Sequence, residues 1–332
     1  MAWLPIAGPA QALANSHEVR LSVALAEGGE RSHEVAGTLC LPAGPAPSRV
    51  QLLLHGSTYG RYYWDFPLEP ERYSYVRHMT NGGWATLALD RIGIGQSSHP
   101  PPEEVDVESN AFVVHQVVQA LREGTFEGHS FSTVVLAGHS LGSAITIAEA
   151  SRYNDVDAVV VTGLLHHFDV GLVLVPASLY PAQEDSERFS GLPAEYTTTR
   201  PGERSLFYHA PTVDPRVIAA DEERKETVTD AEIATFPFDL ARSRVIRVPA
   251  LVVVGDFDRV FCSLINCSLP LLGGAAFEST FWTTRCYRQI VVPDAGHSIN
   301  LHPNAATWYA QALAWLETNT GAATPERCRR RG

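Results

Sequence analysis

Apolar residues along this chain gather in short uninterrupted runs, each followed closely by a turn-forming residue. The runs are Val50–His55, Trp84–Asp90, Thr133–Ala137, Ala158–Thr162, Leu251–Val254 and Gln289–Val292. Val, Leu and Ile without polar alternation predict strands covered on both faces, as in a parallel sheet. Two earlier segments, His17–Glu27 and Glu34–Pro42, read as extended chain joined by the turn-like Gly28-Gly29-Glu30. Between the runs the spacing changes to that of helices, over Glu71–Asn81, Val107–Glu123, Leu141–Tyr153 and Asn304–Asn319. In the last of these, Trp308, Ala312, Trp315 and Leu316 share one face. Alternating strand and helix predict a doubly wound α/β sheet.

One region breaks the rhythm. From His166 to Val248 no strand-like run is evident, and Pro, Glu, Arg and aromatic residues are frequent. A structureless loop of that length does not suit a compact domain. The region is therefore expected to be a mainly helical cap insertion over the sheet, with helices near Glu184–Ser190 and Pro215–Phe236. Its charged run Asp221–Glu226 reads as a solvated face. The expected division is a core over 1–165, the cap over 166–248, the core again over 249–322, and a frayed tail over 323–332.

Composition narrows the classes. With 332 residues, 45% hydrophobic and 19% charged, the chain excludes collagen-like repeats, coiled coil and general disorder. A net charge of -12 argues against nucleic acid as a partner. Lys225 is the only lysine, a skew that fits a GC-rich coding sequence. No apolar run reaches the length of a membrane span. The first residues, MAWLPIAGPAQALANS, are apolar and small but lack a basic start. They read as the end of a trimmed signal peptide after an added Met1, or as a loose arm. Cys40, Cys262, Cys267, Cys286 and Cys328 form neither a dense disulfide framework nor a zinc pattern. They are either buried thiols or one or two disulfides of an exported protein. In the second case Cys262–Cys267 is the first choice and Cys267–Cys286 its rival.

The strongest chemical signal is Gly138-His139-Ser140-Leu141-Gly142, set between the run TVVLA and the helical AITIAEA. This is G-x-S-x-G in the strand–turn–helix setting that makes it informative. Glycines on both sides permit a sharp turn that exposes the Ser140 hydroxyl, and the helix start offers N–H groups to a developing oxyanion. Four further landmarks follow the chain order: His55-Gly56-Ser57, Asp90–Ser97 (DRIGIGQS), Gly255-Asp256-Phe257-Asp258 and Asp294-Ala295-Gly296-His297. With these, nearly the whole chain resembles the α/β-hydrolase superfamily. The stretches HGSTYGRYYWDFP and GHSINLHPNA resemble, more narrowly, exported bacterial hydrolases of poorly defined substrate.

That resemblance implies an eight-stranded, mostly parallel sheet with helices on both faces. It also implies a cofactor-free Ser-His-Asp triad without metal: Ser140 as nucleophile, His297 as base and Asp258 as acid, with Asp256 capping its loop. The backbone N–H groups of Ser57 and Leu141 would hold the oxyanion. His139 and His55 are expected to have structural roles, and His302 to be a surface residue. Tyr59, Tyr62, Tyr63, Trp64 and Phe66 cluster after Ser57, and the cap adds Phe168, Leu172, Val173, Leu174, Leu179 and Tyr180. Tyr59, Tyr63, Trp64, His166 and Phe168 are the expected substrate-contact residues. The reading is a serine hydrolase acting on a small or medium hydrophobic carboxylic ester or lactone. The alternative is an acyltransferase or cyclase on a natural-product intermediate using the same triad. Its partner would be a small molecule, and its compartment extracytoplasmic or otherwise cytoplasmic.

Overall fold

The computed structural model describes residues 15–45, 47–167, 169–236, 240–263, 267–268, 275–320 and 328. The chain opens with β1 (Ser16–Val23) and β2 (His33–Cys40), an antiparallel pair. Then follow β3 (Arg49–Leu54), β4 (Ala85–Leu89), β5 (Thr133–His139) and β6 (Ala158–Thr162). Three short strands come next, β7 (Leu179–Pro181), β8 (Tyr196–Thr199) and β9 (Val228–Thr229). β10 (Ala250–Gly255) and β11 (Tyr287–Val292) complete the set. Eight strands form one sheet in the order β1-β2-β4-β3-β5-β6-β10-β11, parallel from β4 through β11. Every residue of β4, β5, β6 and β10 is buried, which is why these strands show no polar alternation. At the edges burial is patchy: β11 buries only Ile290 and Val292.

The helices start where local chemistry dictates. Val107–Glu123 begins at a capping box between Asp106 and Ser109 and ends at Gly124 in the left-handed conformation. The helix expected over Glu71–Asn81 is interrupted at Ser74. Its extended backbone ends Pro70–Tyr73, and its Oγ accepts from Arg77 N at 2.9 Å to start Tyr75–Asn81.

Between β6 and β10 the expectation needs correcting. Helices Gly171–Ala177, Pro215–Arg224 and Asp230–Thr235 are present, but β7, β8 and β9 pair as an antiparallel sheet. The helix expected over Pro215–Phe236 stops at Lys225, passes through β9, and restarts at a capping box of Thr229 with Glu232. Near Glu184–Ser190 there are two 3₁₀ turns, Ala182–Glu184 and Glu187–Phe189. The charged run is not a solvated face: Asp221 and Lys225 are buried, while Glu223 is exposed.

Two disulfides join Cys262 to Cys267 and Cys286 to Cys328. The second displaces the rival Cys267–Cys286 pairing. It also corrects the frayed end at one point, since Cys328 is buried and tied down. Cys40 is a buried free thiol, and burial pushes it up to about 12. The segment 1–14 and the tail around Cys328 lie outside the described residues. Among the described residues no helix is long and apolar enough to cross a membrane.

Candidate active site

Ser140 sits between the last residue of β5 and the first of helix Leu141–Tyr153, at φ 53 and ψ -118. A non-glycine residue there stores on the order of 1–3 kcal/mol, which its surroundings must supply. They do so through the Ser140 amide, which donates to Thr162 O at 2.8 Å. The Ser140 carbonyl accepts from Ser143 N at 2.8 Å and Ala144 N at 3.2 Å. The flanking glycines are steric requirements. A Cβ on Gly138 would fall within 3.0 Å of the Gly142 backbone, and one on Gly142 within 3.0 Å of Leu54 O. The loop after β3 presses on the same point, because a Cβ on Gly56 would meet Ser140 Cβ at 3.0 Å.

Asp258 follows β10 and is fully buried. Its Oδ1 accepts from Val260 N at 2.9 Å and Phe261 N at 3.2 Å, leaving Oδ2 for His297 Nδ1 at 2.9 Å. An ionised carboxylate can only accept, so the Nδ1 proton points to Asp258 and His297 Nε2 carries the free lone pair. Asp256 is occupied elsewhere: Oδ1 accepts from Ala295 N at 3.2 Å and its carbonyl from Cys267 N at 3.1 Å.

Rings of His139, Phe207 and Phe261 lie 4.9, 5.7 and 6.1 Å from the His297 ring. Burial, with His297 beside it, holds His139 well below the usual histidine range. His55 is buried; its Nδ1 faces Gly56 O at 2.9 Å and its Nε2 accepts from Arg91 N at 3.2 Å. His302 is not a surface residue. It is buried, accepts from Gly296 N at 3.0 Å and His209 N at 3.1 Å, and is held down at about 4 by burial.

Ser140 and Ser57 share the wall of a cavity of about 140 Å³ with Val260. Leu172, Val173, Val175 and Pro176 close it from helix Gly171–Ala177, and Ile233 and Phe236 from the segment after β9. Leu141, whose amide opens its helix, is buried directly behind Ser140. The expected substrate-contact residues are elsewhere. Tyr63 stacks on His139 at 4.2 Å, Trp64 packs on Tyr75 at 5.1 Å, and the Tyr59 hydroxyl meets Ser298 Oγ at 2.6 Å. His166 is held by Glu278 at 2.6 Å and stacks on Phe281. None of these four lines the cavity. Phe168 lies outside the described residues. Of the aromatic cluster after Ser57, Tyr59, Tyr63, Trp64 and Phe66 turn inward around the 3₁₀ turn Arg61–Tyr63 and become core, while Tyr62 is half-buried. The apolar run GLVLVPA was the usable signal, and Leu172 and Val173 from it do line the cavity.

The described His and acidic residues nearest to a metal-ligating set are His115, Glu149 and Asp155. They lie toward the far end of helix Leu141–Tyr153 from Ser140, and Asp155 Oδ2 already accepts from His115 and Gln119 at 2.7 Å each.

The chain belongs to the Alpha/beta hydrolase family, which matches residues 51–308. It is 27% identical over 160 residues to a Mycobacterium tuberculosis protein named "Putative hydrolase LipZ". That match covers 48% of this chain and 49% of the relative, about half the length of each. Its fold is similar to a thermophilic esterase from Thermogutta terrifontis, with TM-score 0.60 and 19% identity over 91% of this chain and 98% of that one. It is also similar to the Paleococcus ferrophilus monoacylglycerol lipase, with TM-score 0.59 and 15% identity over 92% and 100%.

Proposed function

We propose that this chain is a cofactor-free serine hydrolase cleaving a small hydrophobic carboxylic ester or lactone through an acyl-enzyme. One observation carries the reading: a strained Ser140 lines an apolar cavity, and the buried Asp258–His297 pair packs against the ring of His139, the residue just before Ser140. Ser140 Oγ attacks the ester carbonyl and gives its proton to His297 Nε2. The tetrahedral oxyanion is held by the N–H groups of Ser57 and Leu141, each worth about 3 kcal/mol. His297 then protonates the departing alcohol, and water, deprotonated by the same nitrogen, releases the acid. Asp258 keeps the imidazole in the required tautomer throughout.

Size and polarity of the cavity support the substrate class. An apolar cavity of about 150 Å³ takes up a benzene-sized molecule, so about 140 Å³ suits an acyl group of a few carbons. The segment 166–248 acts as the cap, supplying six of the nine lining residues. The two disulfides support an extracytoplasmic site of action.

Ser140→Ala should abolish hydrolysis of a synthetic ester while leaving thermal unfolding unchanged, and an organophosphate should label Ser140 alone. More than trace activity in that variant would refute the nucleophile. Assay with an added alcohol distinguishes hydrolysis from acyl transfer, since predominant formation of the new ester would make the chain an acyltransferase.

A further inference from the structure

We propose that Arg204 and Asp221, both in the segment between β6 and β10, are positioning residues that hold the Ser57–Thr58 loop in its oxyanion-binding shape. This rests on the serine-hydrolase reading above. Neither residue touches the cavity that Ser140 faces, and both are completely buried.

The geometry begins at Thr58, a non-glycine residue at φ 57, where L side chains are rarely found. Something must hold it there. Arg204 Nη1 donates to Thr58 O at 3.1 Å and Thr58 Oγ1 at 2.7 Å. The Glu226 amide donates to the same carbonyl at 2.9 Å. Thr58 is thus gripped from the overlying segment, and the Ser57 amide one residue earlier inherits that fixed orientation.

Arg204 is aimed in turn by Asp221. Nε reaches Oδ2 at 2.9 Å and Nη2 reaches Oδ1 at 2.6 Å, a two-point fork that fixes the guanidinium plane. Asp221 also accepts from Tyr208 at 2.6 Å, Tyr62 at 2.9 Å and Tyr59 at 3.2 Å. The guanidinium carbon stands 4.0 Å over the Tyr59 ring. Tyr59 OH meets Ser298 Oγ, next to His297, so the network reaches the loops carrying both the oxyanion donor and the base. A buried ion pair is weak evidence for stability, since apolar replacements often do as well. Aiming a guanidinium nitrogen at both the Thr58 carbonyl and its hydroxyl is something an apolar pair cannot do.

The test compares wild type, Arg204→Lys, the paired Arg204→Gln/Asp221→Asn, and Arg204→Lys/Thr58→Gly. Hydrolysis of a short ester and binding of a trifluoromethyl ketone, which mimics the tetrahedral adduct, are measured in each. Losing one oxyanion donor costs about 100-fold or more in kcat, so a misaimed one should cost about 10- to 100-fold. KM should change less than about threefold, and ketone affinity should fall with kcat. Glycine at 58 adopts positive φ without help and should restore part of the rate to Arg204→Lys. Arg204→Lys keeps the charge, so the proposal remains testable if the paired variant fails to fold. A folded Arg204 variant with wild-type kcat and ketone affinity would overturn it while leaving the triad standing. A loss confined to KM, or no rescue by Thr58→Gly, would also overturn it. If Ser140→Ala stays active, the hydrolase reading itself fails and this one with it.

Discussion

Asp258 and Asp256 follow the same strand, yet their neighbours give them different work. Asp258 is aimed by two backbone amides at His297, whereas Asp256 ties its own loop to Ala295. Asp258→Asn should lower kcat by about four orders of magnitude through the wrong imidazole tautomer. Asp256→Asn should cost less than about tenfold, and kinetics of the two purified variants decides between them. Glu226 carries a different consequence. Burial raises its carboxyl to about 7, Arg188 opposes this and Asp90 adds to it; a Gly95 amide also faces it. Because the folded value lies above the unfolded one, the native state binds the extra proton between pH 4.5 and 7. Stability therefore falls as pH rises through that window, and the deficit is complete above it. Glu226→Gln should remove the deficit, adding up to about 3 kcal/mol at pH 8 and little at pH 4. Urea unfolding of both proteins at the two pH values measures it, and an equal effect at both would refute it.

At the scale of elements, the cavity wall built by helix Gly171–Ala177 and by Ile233 and Phe236 should set acyl length. Phe236→Ala opens that wall. Esters one or two carbons longer should then gain about fourfold in kcat/KM per added CH₂, from about 0.8 kcal/mol each. An ester series assayed on both proteins tests this, and an unchanged optimum would remove Phe236 from the specificity wall. The sheet behind this wall was legible because its central strands are long, apolar and buried on both faces, so pattern and environment agree. β7, β8 and β9 were not, since two to four residues carry no period. Their pairing is also remote: Tyr196 meets Thr229 across the sheet. The same limit hid Asp221. Its neighbours in sequence are charged and look solvated, while its partners Arg204, Tyr59, Tyr62 and Tyr208 arrive from two other places in the chain. Motifs bound to strand ends led to Asp258 and His297, which do meet at 2.9 Å. Nearness in sequence to Ser57 did not bring Tyr59, Tyr63 and Trp64 to the cavity, because these three side chains turn into the core.

Over the whole molecule, the two disulfides are expected to act differently on stability and on rate. Cys286–Cys328 closes a separation of 42 residues and Cys262–Cys267 one of only 5. If cross-links act by restricting the unfolded chain, the long bridge contributes about 4 kcal/mol and the short one about 2. Their surroundings reverse that ranking for the chemistry. Cys262 N donates to Asp258 O at 2.7 Å and Cys267 N to Asp256 O at 3.1 Å, so the short bridge ties down the loop that carries Asp258. Cys286 stands before β11, at the end of that strand away from His297. Cys286→Ser/Cys328→Ser should therefore lower the unfolding temperature by several degrees and leave kcat within about twofold. Cys262→Ser/Cys267→Ser should lower the unfolding temperature less but reduce kcat about tenfold or more, with the loss confined to steps that need His297 as a base. Calorimetry and steady-state kinetics on the two double variants would test the division. A long-bridge variant that lost more rate than the short-bridge one would show that the clamp on Asp258 lies elsewhere.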